Sequence, residues 1–389
     1  MLRLFIKILI FVFVSSHVGG QKRICGNEIF WQDKASNEKK KITDDLLKKY
    51  LSSNFLESRS QITIPVVVHV LWFDPSENVS DAVITEQLEI LNQAFSKSNP
   101  DITNVPEEFK SVTGSTKIRF CLANTSPESE PTIGIIRKQT TIPEIGLTEN
   151  LYDSNAGGSE TWNSAKYLNI WIANTGRIIS GFGTYPNQTP SEKTGVVIHP
   201  KYFGKNNQPK FGLGRTLIHE VGHYLGLFHL WGDDSDCASD DGVDDTPPQL
   251  KSYRGCPSYP QSGCSPSEMF MNYMDYVDDH CMYFFTKGQS DRMFATINLF
   301  RPGLLDSEVT CVDDFDLQTK IYPNPSFGSF TFETNKPISD KIFILNQLGQ
   351  QIHPLIQSED NNLILDISLY PSGIYFIKIK NKVYKIVKL

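Results

Sequence analysis

This chain predicts an α+β fold: a twisted mixed sheet with helices packed on it, a loop-rich lower half, then a small C-terminal β-sandwich. Three observations carry the expectation. β-branched apolar runs at 62–72, 117–122 and 167–173 alternate with helical spacing at 82–96 and 213–226. A stretch rich in Cys and turn residues, with little apolar periodicity, follows. From about residue 317 onward, short alternating strands are separated by Asn, Gly and Pro turns.

Residues 1–20 read as an export signal. Arg3 and Lys7 supply the positive start, residues 8–14 an apolar run, and Ser15, Ser16, Gly19 and Gly20 a cleavable small-residue region. The run is shorter than the roughly 18 residues that suggest a spanning helix, and no later segment reaches that length. No stable membrane span is expected. Residues 21–59 are polar and Lys-rich, with helical tendency and too little apolar material for a core. They read as a propeptide, or else as a leader without structure. Residues 60–312 are enough for one core. The run at 62–72 has a proline in its middle, and residues 82–96 carry Ile84, Leu88, Ile90, Leu91 and Phe95 at helical spacing. The net charge of −7 argues against nucleic acid or an anionic membrane as partner.

Residues 219–229 read His-Glu-Val-Gly-His-Tyr-Leu-Gly-Leu-Phe-His. His219 and His223 are four apart, so a helix presents both imidazoles on one face to one ion. Gly226 can adopt positive φ and turn the chain, bringing His229 round as a third zinc ligand. Three protein ligands leave a fourth position for water and substrate, the mark of a catalytic zinc site. Glu220 follows the first ligand and is placed to take a proton from zinc-bound water. His69 and His199 lie in strand-like or loop contexts and read as structural.

The extended pattern resembles that of the metzincin clan, and further residues narrow the resemblance to its pappalysin family, in the ulilysin- and cytophagalysin-like branch. Those residues are 167–172 (Tyr-Leu-Asn-Ile-Trp-Ile), 181–186 (Gly-Phe-Gly-Thr-Tyr-Pro), Trp231-Gly232, Asp244-Asp245-Thr246-Pro247 and Asn272-Tyr273-Met274-Asp275-Tyr276. The resemblance covers about residues 60–310. It implies a zinc-dependent endopeptidase acting on protein or peptide substrates. Met274 would be the methionine turn beneath the ligands, and Tyr276 a phenol near the metal that stabilises an oxyanion. Arg23-Ile24-Cys25-Gly26 resembles the cysteine switch of metzincin zymogens, with the Cys25 thiolate displacing the catalytic water.

Seven cysteines in an exported chain leave one over, and Cys25 is the natural odd one. Sequence allows three connectivities for Cys237, Cys256, Cys264 and Cys281; the resemblance implies Cys237–Cys264 and Cys256–Cys281. Cys121 and Cys311 are left to pair. Asp233, Asp234, Asp236, Asp240, Asp241, Asp244 and Asp245 form an acidic loop, either solvated or holding a structural Ca2+, as the family often does near here; Asp244 is the single residue chosen. Family members that favour Arg or Lys after the cleaved bond carry an acid near Asp278 and Asp279. Here His280 stands next to the cysteine. Arg59 fits a basic preference if the chain cuts itself at Ser58–Arg59.

Residues 318–389 resemble the C-terminal sorting domain of the type IX secretion system of Bacteroidota, through Tyr322-Pro323-Asn324-Pro325, Pro371-Ser372-Gly373-Ile374-Tyr375 and the basic, apolar ending. This implies export through the periplasm to the surface or medium. The other functions open to such a chain are a zinc-binding surface adhesin and an amidase-like scaffold. Neither needs an intact Glu220.

Overall fold

The computed structural model describes residues 24–27, 34–53, 61–177, 179–187, 191–233, 236–305, 320–333, 342–359, 362–379 and 382–389. The export signal, the Ser58–Arg59 bond and Cys311 lie outside them. Among the described residues, no helix is long and apolar enough to cross a membrane.

Helix α1 (Lys34–Ser53) comes first. A six-stranded sheet follows, built on β1 (Ile62–Trp72). One side of β1 pairs in parallel with β2 (Ile118–Leu122) and then β3 (Ile135–Gln139); the other pairs in parallel with β4 (Leu168–Ile172). β6 (Val196–Ile198) adds in parallel to β4, and β5 (Gly181–Gly183) closes the edge antiparallel to β6. Pro65 is accommodated because pairing with β4 begins only at Val66. The N–H of Ile62 and Val68 point to the β2–β3 side, so that of Pro65 would face the side not yet paired.

Helix α2 (Asp81–Phe95) starts at the Ser80 cap and buries Ile84, Leu88, Leu91 and Phe95 against the sheet. Helix α3 (Arg215–Tyr224) is shorter than the 213–226 pattern. Gly214 at φ 74° precedes it and Gly226 at φ 87° ends it. The Leu227 N–H bonds Gly222 O and the Gly226 N–H bonds His223 O, a left-handed cap that only glycine enters without strain. Helix α4 (Lys287–Phe300) starts at a Thr286–Gln289 capping box and packs beneath that turn. Between α3 and α4 the chain is nearly all loop, held by disulfides Cys237–Cys264 and Cys256–Cys281. Cys121 is also disulfide-bonded.

The C-terminal region forms two four-stranded sheets. One orders β10 (Gln351–Ile352), β9 (Ile342–Asn346), β13 (Gly373–Ile379) and β14 (Lys382–Lys388); the other β11 (Leu355–Glu359), β12 (Asn362–Asp366), β8 (Ser329–Glu333) and β7 (Lys320–Tyr322). Phe330, Phe332, Leu365, Ile377 and Ile386 fill its own core.

His69 is structural and carries a pH dependence. It is fully buried in β1, with Nδ1 2.7 Å from Ser159 Oγ, Nε2 3.1 Å from Asn169 Oδ1, and its ring stacked on Trp171. Burial pushes its pKa down to about 4, against the pull of the Asn169 oxygen. The unfolded chain then takes up the proton first as pH falls from 6.5. Stability therefore drops between pH 6.5 and 4, by about 1.4 kcal/mol per pH unit at most. His69→Gln should flatten that slope in urea unfolding at pH 7 and pH 5; parallel slopes for the two proteins would remove His69 as the cause.

Candidate metal centre and cleft

The three histidines of the motif meet at one point. Their Nε2 atoms are 3.0 Å (His219–His223), 3.1 Å (His223–His229) and 3.3 Å (His219–His229) apart, and all three side chains are fully buried. A tetrahedral zinc with Zn–N of about 2.0–2.1 Å sets neighbouring nitrogens about 3.3 Å apart, so the triangle has the size of a zinc site. The other ring nitrogens fix the tautomers. His219 Nδ1 lies 2.8 Å from Tyr273 O and His223 Nδ1 2.8 Å from Leu227 O, while His229 Nδ1 meets the Asp233 carboxylate. Each Nδ1–H donates outward, leaving three Nε2 lone pairs facing one another. Such a set needs a cation at its centre. Burial and the nearby His229 hold the His223 pKa well below its ordinary value, which keeps that ring neutral.

Each histidine is positioned by a different device. His219 and His223 ride on α3, and the Gly226 turn delivers His229. Trp231 stacks on His229 at 4.4 Å and 4°. Asp233 sits at left-handed φ 69°; burial opposes its ionisation, but His229 and Lys40 hold its pKa well below the usual carboxylate range. Its spacing of four from His229 was the available signal; the acidic run around it hid this separate role.

Met274 lies fully buried under α3, with its amide bonded to Asn272 Oδ1. A Cβ on Gly222 would come within 2.6 Å of Met274 Sδ, so the methionine packs where the helix has no side chain. Tyr276 OH is 3.1 Å from His229 Nε2. Glu220 is fully buried beside the triangle, and its Oε2 accepts from the Cys25 thiol at 3.3 Å. Cys25 Sγ and the three imidazole nitrogens all lie within 4.8 Å of one another.

Cys25 is held there by β5. It forms a parallel bridge with Gly181, the Gly26 N–H bonds Gly181 O at 2.8 Å, and Asn27 exchanges two hydrogen bonds with the Gly183 backbone. Gly183 has a second constraint. A Cβ there would lie 2.1 Å from Glu220 O and 3.1 Å from Tyr224 N, so β5 packs directly on the α3 backbone. Gly183→Ala should destabilise by about 3 kcal/mol, read as a fall of roughly 6–12 °C in Tm; an unchanged Tm would show that the strand can slide away.

The acidic loop spends its carboxylates on backbone amides. Asp236 accepts from Ala238 and Ser239, Asp240 from Gly242, and Asp245 from Gly288. Asp244 is exposed. Asp279 accepts from the Leu213 and Arg215 amides, which fixes the start of α3. His280 contacts Cys256 at 2.9 Å.

A parallel-dominated sheet, a helix carrying two of three converging histidines, and a methionine turn below them define a metzincin-type zinc peptidase. The comparisons agree. The family model of pregnancy-associated plasma protein-A matches residues 151–298, and the secretion-system C-terminal sorting domain matches 320–389. An extracellular metalloprotease of Arthroderma benhamiae is 38% identical over 255 residues, covering 63% of this chain and 75% of its own. Mature mirolysin of Tannerella forsythia with a cleaved peptide matches at TM-score 0.61 and 42% identity, over 64% of this chain and 97% of that one. A promirolysin mutant from the same organism matches at TM-score 0.66 and 38% identity, over 73% and 96%. The chain belongs to the pappalysin family of metallopeptidases. It is a secreted zinc endopeptidase made as a zymogen, with a type IX sorting tail.

Proposed function

We propose that His219, His223 and His229 hold one zinc ion, that Glu220 moves the protons of peptide hydrolysis, and that Cys25 keeps the site latent until residues 21–59 leave. The observation that carries this is the convergence of three Nε2 lone pairs beside Glu220 and Cys25. Bound zinc supplies the positive charge that polarises a carbonyl and acidifies a water. Glu220 takes a proton from the attacking water as the C–O bond forms and delivers it to the departing amine as the C–N bond breaks. The Tyr276 hydroxyl donates to the oxyanion of the tetrahedral intermediate. Met274 floors the site. Substrate backbone adds to the β5 edge by β-augmentation, the edge that residues 24–27 cover here. The Cys25 thiol thus blocks the base and the open ligand position while its neighbours Gly26 and Asn27 cover the substrate strand.

The proposed segments are the signal at 1–20, the propeptide at 21–59, the catalytic domain at 60–312 and the sorting domain at 318–389. For calcium, support shifts from Asp244 to its neighbours. Among the described residues, Asp241 Oδ2 and Asp245 Oδ1 are buried oxygens with no hydrogen-bond partner.

The test is proteolysis of a denatured protein mixture by the activated chain, with new termini mapped, beside intact wild-type and Cys25→Ser zymogens. The expected result is cleavage by the activated chain, none by the wild-type zymogen, and partial cleavage by the variant. An activated, zinc-loaded chain that cuts nothing would favour the binding scaffold.

A further inference from the structure

Among the described residues, the ligand atoms of cysteine and histidine converge in two places. One is the triangle beside Cys25. The other is Cys256, His280 and Cys281, whose sulfurs and imidazole nitrogen all lie within 4.8 Å of one another. Cys256 and Cys281 are bridged, with Cα atoms 5.8 Å apart, and His280 Nε2 lies 2.9 Å from Cys256 Sγ. A bridged sulfur carries no hydrogen, so the imidazole N–H donates to it. Cys256 and His280 are exposed and Cys281 is half-buried, so a dissolved thiol can reach the bridge. Among the described residues, the Cys237–Cys264 pair belongs to no such cluster.

We propose that Cys256, His280 and Cys281 form a second, redox-gated metal site, which takes one thiophilic divalent cation such as zinc once a small-molecule thiol has opened the bridge. The small thiolate attacks Cys281 Sγ. The S–S electron pair leaves on Cys256 Sγ, where the His280 N–H bonds the departing thiolate. A second small thiolate attacks its own kind in the mixed disulfide and releases Cys281. Two thiols become one disulfide, and the two electrons they lose reduce the bridge. Two sulfurs and one imidazole then share one ligand shell. Zn–S of about 2.3 Å and Zn–N of about 2.0–2.1 Å require only that the freed sulfurs part. Binding moves the imidazole proton from Nε2 to Nδ1 and leaves the fourth position to water. The cation takes over the bridge's work as a tie. The Asp278 N–H bonds Gly255 O at 2.9 Å, and the Asp279 carboxylate accepts from the Leu213 and Arg215 amides at the start of α3. Arg254, two residues before Cys256, lies 5.1 Å from the centre of the Tyr276 ring. An open, metal-free bridge therefore loosens the loops on both sides of Tyr276, and the cation fastens them again.

The experiment uses the full chain with Cys25→Ser, so that no thiol remains at the histidine triangle, beside the same chain with His280→Gln added. During mild treatment with mercaptoethanol, alkylation and peptide mapping should find Cys256 and Cys281 opened ahead of Cys237 and Cys264. His280→Gln should slow that opening roughly threefold. The thiol is then removed under anaerobic conditions and cobalt(II) is added. The opened chain should show thiolate-to-cobalt charge-transfer absorption that saturates at one cation per chain, and both sulfurs should become resistant to alkylation. Three imidazoles alone give no such absorption, so the signal is independent of the histidine triangle and of peptidase activity. His280→Gln should weaken cobalt binding about tenfold or more. Cys237–Cys264 opening first, or an opening rate indifferent to His280→Gln, overturns the gate. An opened bridge that gives no thiolate absorption overturns the metal site, as does an opened chain that unfolds and is not refolded by the cation.

Discussion

Glu220→Ala should lower kcat/KM by roughly 10³–10⁴-fold while zinc content and Tm hold. Glu220 is fully buried beside the histidine triangle and belongs to none of its three nitrogen pairs. Removing its carboxylate takes away the proposed proton carrier and leaves the outward Nδ1 bonds to Tyr273, Leu227 and Asp233 in place. The readouts are peptide hydrolysis by the activated variant, metal content per chain, and thermal unfolding. Hydrolysis within tenfold of wild type would transfer the proton work to another group. Loss of zinc along with activity would make Glu220 a structural part of the site. In the zymogen the same substitution removes the acceptor of the Cys25 thiol, without adding activity that could be mistaken for release.

Stripping the metal should abolish activity and cost several kcal/mol of stability, both restored by one equivalent of zinc. The apo site would keep three imidazole lone pairs buried together with no cation between them. It must protonate, take in water or splay apart, and burial resists protonation of His223. Because His219 sits on α3 and His229 beyond the Gly226 turn, splaying loosens the Leu227 and Gly226 cap bonds as well. Tm with chelator, with added zinc and with added calcium separates the two ions. A Tm unmoved by chelation but raised by calcium would place the stabilising ion in the acidic loop.

The histidine cluster was legible because it is local. Two of the clustered histidines share one helix, a glycine turn brings the third, and all fall within eleven residues. The methionine turn was legible through the run around Met274. What sequence hid depends on contacts across the fold. Asp233 read as one more acid in a charged loop, yet it orients His229. β5 and β6 have three residues each, too few for a periodicity to register. α3 ends short of its apolar pattern because Gly214 and Leu225 leave helical geometry. Lys40 and Asp44 fall in a stretch that read only as polar and Lys-rich; their partners lie 193 and 248 residues away. The cysteine connectivity needed family resemblance, since four thiols in a loop-rich stretch carry no register of their own.

The bridges of the lower half also set a schedule. Cys237–Cys264 and Cys256–Cys281 close only in an oxidising compartment, so the loop that carries the methionine turn cannot be stapled before export. Cys25 passes through that compartment as well and must reach its place unoxidised. Its complete burial against Glu220 puts it beyond the reach of disulfide exchange, which requires access to the sulfur. Folding around Cys25 must therefore outrun oxidation, and a chain that loses this race pairs the wrong thiols and emerges with its safety catch missing.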